Sequence, residues 1–103
     1  MDEKLYRQSR LCRLLGNPVA YSIVAVLLEL GEMTPTQIAE AVGKSLGRAS
    51  PLLGVLRLAD VVRYETARGH AKYRFNPETR RLLEVMADFV KAAGPLTWVW
   101  GLT

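Results

Sequence analysis

Residues 42–62, VGKSLGRASPLLGVLRLADVV, decide how the chain folds. Gly43 and Lys44 make a tight turn, and Ser45 follows as a helix N-cap, where a hydroxyl accepts from the backbone N–H groups that an opening helix leaves free. Ala49, Leu53 and Leu56 recur at i, i+4 and i+7, an apolar stripe narrow enough to dock on neighbouring helices while the rest of the helix stays in water. Pro51 disturbs this pattern. Inside a helix proline deletes one hydrogen bond and clashes with the carbonyl four residues back, at a cost of about 3 kcal/mol. Because Ser50 and Pro51 would themselves make a good N-cap and first helical position, the expectation is a kinked helix or one that starts at Ser50, with residues 46–49 as a separate turn.

Upstream, Thr34, Pro35 and Gln37 open a short helix that runs to about Val42: threonine as N-cap, proline at the first position, glutamine completing a capping box. Two helices joined by a short glycine-containing turn form a helix-turn-helix. Further back, Val19, Ile23, Val26, Leu27 and Leu30 give a largely buried helix over residues 18–30, ended by Gly31. Gly16, Asn17 and Pro18 separate it from a first helix over residues 2–15, with Leu5, Leu11, Cys12 and Leu15 along one side and Arg7, Arg10 and Arg13 elsewhere. Downstream, two β-prone runs within residues 60–75 flank Gly69 and read as a hairpin with Arg68, Gly69 and His70 near its tip. Asn76, Pro77 and Glu78 then open a last helix carrying Leu82, Leu83, Val85, Met86, Phe89 and Val90 and ending near Gly94 and Pro95. The order is four helices, a hairpin and a helix: mainly α with a small β-hairpin.

The chain has 103 residues, half of them hydrophobic, which suits one domain over residues 1–103 and is too little for separate cofactor and substrate lobes. Its longest apolar run, residues 23–28, falls far short of the roughly 20 residues of a membrane span, and the N-terminus is charged. A cytoplasmic protein with no membrane partner is expected. One cysteine excludes an intramolecular disulfide and a cysteine-rich zinc site. Cys12 reads as a buried structural thiol, or as a bridge to a second copy if first helices meet. The net charge of +4 is unevenly spread. Residues 41–75 hold seven basic side chains (Lys44, Arg48, Arg57, Arg63, Arg68, Lys72, Arg74) against Asp60 and Glu65, whereas the remainder carries seven basic and eight acidic. A basic middle on a neutral frame is the footprint of a module that meets phosphate. One histidine, one cysteine and scattered carboxylates offer no nucleophile with its base, and no glycine-rich phosphate loop follows a strand, so the chain is not expected to be an enzyme and no cofactor is implied.

Over nearly its whole length the chain resembles the ArsR-type winged helix-turn-helix transcription regulators. The matching segments are LLGNPVAYSIVAVLLELGEMTPTQIAEAVG, SLGRASPLLGVLRLADVV and the hairpin VRYETARGHAKYRF, with Ser45, Ser50, Val55, Leu56, Arg57 and Ala59 at the family's spacing. The resemblance implies a homodimer on double-stranded DNA. Residues 1–15 and 77–103 would supply dimerisation helices and tail, residues 34–60 the helix-turn-helix, and residues 61–75 a wing near phosphate or the minor groove. Direct readout needs side chains that present donors or acceptors to base edges, with arginine toward guanine the commonest pairing. In the fourth helix Arg48 and Ser50 fit that description, and Ser45 at its start suits phosphate. In the wing, Arg68 and Lys72 suit phosphate, and His70 is a third candidate or a plain turn residue. The family usually carries further polar or basic residues where this chain has Leu46, Pro51, Leu52 and Gly54. That departure keeps two alternatives open: a protein-interaction module docking through Leu46, Pro51 and Leu52, or a non-specific nucleic-acid binder. Family members that sense metals use cysteine pairs beside the third helix or His and carboxylate clusters on the last. Here GEMTPTQIAE has no cysteine and PETRRLLEVMADFVKAAG no histidine, so no metal is expected. At least one of Trp98 and Trp100 in the tail is expected to pack on the domain or its mate.

Overall fold

A computed structural model describes residues 2–93 of the chain. The elements are α1 (Glu3–Leu15), α2 (Pro18–Leu30), α3 (Pro35–Val42), α4 (Leu46–Leu58), β1 (Val62–Ala67), β2 (His70–Phe75) and α5 (Pro77–Ala92). No single helix among the described residues is long and apolar enough to cross a membrane.

Each helix starts where a short polar side chain satisfies opening N–H groups. Asn17 Oδ1 accepts from the backbone N–H groups of Val19 and Ala20, at 2.9 and 3.1 Å. At α3 the capping box is complete: Thr34 Oγ1 accepts from Gln37 N at 3.2 Å, and Gln37 Oε1 accepts from Thr34 N at 2.9 Å. Asn76 caps α5 through Glu78 N at 3.1 Å, and its own amide donates to the Asp60 carbonyl at 2.9 Å, fixing the helix start to the base of the hairpin. Gly43 closes α3 at φ +70°, the left-handed conformation that glycine adopts most cheaply and that turns the chain into Ser45.

α2, α3 and α4 pack on one another, and their inward side chains Ile23, Val24, Leu27, Ile38, Ala49, Leu53 and Leu56 are wholly or almost wholly buried. Val62 and Tyr73 of the hairpin extend this core. Met33 pairs with Tyr73 as a third, one-residue strand: each donates its N–H to the other's carbonyl, at 3.0 and 2.8 Å. Buried Thr79 donates its hydroxyl to Val61 O at 2.8 Å, tying α5 to the same junction.

Four expectations change. Helix α4 does not begin at Ser50. It runs unbroken from Leu46 with Ser45 as its cap, and Pro51 lies inside it. The turn before Pro51 is held from two sides: Ala49 is wholly buried on the docking stripe, and Ser45 caps the helix through Arg48 N, which together oppose the roughly 3 kcal/mol that an interior proline costs. Cys12 is exposed, and so is Leu5, whereas α1 rests on the hydrophobic core through Leu11, Leu14 and Leu15. Leu30, at the end of α2, is 62% exposed instead of part of the core. His70 is the first residue of β2 and not part of the two-residue turn. Trp98 and Trp100 lie outside the described residues.

Candidate nucleic-acid interface

Two groups of side chains make up the candidate surface. The first is the N-terminal half of α4. Ser45 is extended at φ −68° and ψ 156°, and its Oγ accepts from Arg48 N at 3.2 Å. The N–H groups of Leu46 and Gly47 have no intrahelical partner, so the positive end of the helix dipole faces outward. Arg48 and Ser50 are exposed, and among the described residues Arg48 has no ion-pair partner. Beside them the surface is bare: Gly47, exposed Pro51, and Leu46 at 47% exposure. Leu52 is half-buried against the core, which removes it from the apolar patch that a docking module would offer.

The second group is the hairpin. β1 and β2 are antiparallel with Ala67 opposite His70, so the loop is Arg68 and Gly69 alone. Both have positive φ, +52° and +78°, the combination of a two-residue type I′ turn. Such a turn prefers asparagine or glycine first, and a left-handed arginine costs about 1–2 kcal/mol. The register places Val62, Tyr64, Tyr73 and Phe75 on the core face and Arg63, Glu65, His70, Lys72 and Arg74 on the outer face. On the core side the Tyr64 and Tyr73 rings meet edge to face, with centroids 4.8 Å apart. The Arg57 guanidinium lies 4.8 Å from the Tyr64 ring centre, and Arg80 lies equally far from that of Phe75. These two arginines are thus held by aromatic faces. Burial raises the Tyr73 phenol above its ordinary value of 10.0; Arg57 opposes that shift and Tyr64 adds to it.

On the outer side Arg68, His70, Lys72 and Arg74 meet Glu32 and Glu65 around a hollow of about 250 Å³. Glu65 is bonded to Arg74 Nη2 and lies directly across the strands from Lys72, while Arg63 Nε is 3.4 Å from Asp60 Oδ1. The sequence-derived wing residues Arg68, His70 and Lys72 therefore come together, and Ser45, Arg48 and Ser50 form a separate group on α4. Sequence reasoning missed the carboxylates interleaved with the wing cations. Glu65 was within reach of it, since fixing the turn at Arg68 and Gly69 sets Glu65 opposite Lys72; Glu32 comes from a distant segment and carries no local signal. Among the described residues no three His, Cys, Asp or Glu side chains gather to hold a metal ion.

The chain matches no protein-family model and no curated protein. Solved structures do resemble it. The homodimeric winged helix-turn-helix DNA-binding domain (fragment 1–100) of Mb0332 from Mycobacterium bovis, a possible ArsR-family transcriptional regulator, superposes with a TM-score of 0.72 at 28% identity, covering 85% of this chain and 87% of that one. The transcriptional repressor BigR from Xylella fastidiosa gives 0.71 at 23% identity over 86% and 91% of the two chains. The AntR antimony-specific transcriptional repressor gives 0.73 at 22% identity over 90% and 85%. The first of these neighbours is described as a DNA-binding domain of a possible transcriptional regulator and the other two as transcriptional repressors.

Proposed function

We propose that this chain is an ArsR-type winged helix-turn-helix DNA-binding transcriptional regulator that works in the cytoplasm as a homodimer and does not sense metal. The observation that carries the reading is the start of α4: an exposed Arg48, without an ion-pair partner among the described residues, beside free backbone N–H groups on the second helix of a helix-turn-helix. Arg48 and Ser50 read base edges, Ser45 and the helix start meet phosphate, and Arg68, His70 and Lys72 on the wing meet a neighbouring phosphate. Few base-edge donors remain on this helix, so DNA shape carries part of the discrimination.

Dimerisation is supported by apolar surface on the terminal helices. Leu5 and Tyr6 on α1 are 57% and 49% exposed, and Val85 and Phe89 on α5 are 59% and 67% exposed. Such a stripe is costly to leave in water. Two copies related by a two-fold axis would present their α4 helices about one helical turn of DNA apart, roughly 34 Å. The absence of metal sensing is supported by the scarcity of thiol and imidazole, with one cysteine and one histidine in the whole chain. The test is a titration of random-sequence duplex across a salt series. Binding that weakens linearly in log–log form supports the DNA-binding part of the reading, an enriched sequence among the tightest binders supports the regulator part, and no binding at low salt refutes both.

A further inference from the structure

The outer face of the wing is much less cationic than its arginines and lysine suggest. Of its cations, Arg63 is engaged by Asp60, Arg74 by Glu65, and Lys72 faces Glu65 across the strands, with Glu32 on the rim of the same hollow. Only Arg68 and His70 stand clear of a carboxylate in the register. Arg74 offers its Nη2 to that face and gives it to Glu65, while its Nε is buried without a hydrogen-bond partner. A guanidinium N–H donates to a phosphate oxygen in the same geometry as to a carboxylate oxygen, so the two anions compete for one donor.

We propose that the hollow between Lys72 and Arg74 is a phosphodiester-binding site whose place Glu65 fills in the free protein. Glu65 is the internal competitor, and DNA binding exchanges its carboxylate for a backbone phosphate that accepts from Arg74 Nη2 in its place and neutralises Lys72. Arg74 thereby joins the DNA-contacting residues, and Glu65 sets the threshold that keeps the wing off arbitrary DNA. The inference rests on the DNA-binding reading. It gives Glu65 a role opposite to that of a merely structural ion pair, whose loss would weaken the wing and its binding.

The experiment compares wild type, Glu65→Gln, Arg74→Gln and the double variant on random-sequence duplex across a salt series, with inorganic phosphate as competitor at matched ionic strength and with thermal melting in parallel. Glu65→Gln is expected to bind about two- to fivefold more tightly, the scale of one exposed ion pair, and to steepen the salt slope by about one. Arg74→Gln is expected to weaken binding and to cancel the gain in the double variant. Competition by inorganic phosphate in excess of a chloride control is expected to be stronger for Glu65→Gln, because the vacated site takes any phosphate oxygen. Unchanged or weaker binding by a folded Glu65→Gln protein, or a gain that survives Arg74→Gln, overturns the proposal. If Glu65→Gln melts early, the Arg74→Gln protein decides alone: affinity and slope equal to wild type overturn it. Failure of wild type to bind duplex at low salt is a different outcome, which removes the DNA reading and the phosphate site with it.

Discussion

Arg68 sits at the first position of a type I′ turn with φ +52°, and its replacement separates folding from binding. A non-glycine residue in this region costs about 1–2 kcal/mol, and asparagine tolerates it because its short amide bonds locally to the backbone. Arg68→Asn therefore relieves on the order of 1 kcal/mol. In a domain of this size that corresponds to a rise of about 4–8 °C in Tm, read at fixed protein concentration because a dimer melts in a concentration-dependent way. The same change removes one phosphate-directed cation, so affinity for any duplex falls and the salt slope flattens by about 0.9. Arg68→Lys keeps the charge and the strained backbone and is expected to leave both quantities near wild type. The assay is thermal unfolding by circular dichroism paired with fluorescence anisotropy on labelled duplex. An Arg68→Asn protein that is more stable and binds equally well refutes the phosphate role; one that is less stable refutes the turn assignment.

Phe89→Asp, at a position 67% exposed in the single chain, is expected to leave the fold intact and to convert a dimer to a monomer in sedimentation velocity; an unchanged sedimentation coefficient would place the interface elsewhere. Pro51→Ala restores the hydrogen bond to the Gly47 carbonyl inside α4 and is expected to stabilise the protein by about 1–3 kcal/mol in urea unfolding. For Tyr73 the fold favours the neutral phenol. The associated stability is fully present below the unfolded value of 10.0 and is lost as pH rises through the higher folded value, so Tyr73→Phe should flatten the alkaline limb of a stability–pH profile.

Most of the fold was legible because its boundaries are local. Asn17 with Pro18, Thr34 with Pro35 and Gln37, and Asn76 with Pro77 announce helix starts by chemistry confined to a few residues, and the structure uses each one. The start at Ser50 fails for the converse reason: Ser50-Pro51 is a sound local start, but the burial of Ala49 just before it is a tertiary effect that no local rule contains. Cys12 was misread because helical spacing groups it with apolar neighbours without saying where the helix ends up; α1 touches the domain along a narrower line than its sequence offers. At the candidate site, the gathering of Arg68, His70 and Lys72 on the wing was readable, but the carboxylates among them were not. Glu65 reaches Arg74 only through the strand register, and Glu32 only through the fold.

The central claim is sequence-directed recognition by a symmetric pair of α4 helices, and selection of the tightest binders from a random duplex pool by the full chain tests it most directly. Enrichment of an inverted repeat whose half-sites lie about one helical turn apart is the expected result. Salt-sensitive binding with no enriched sequence would contradict it and leave only a non-specific electrostatic clamp.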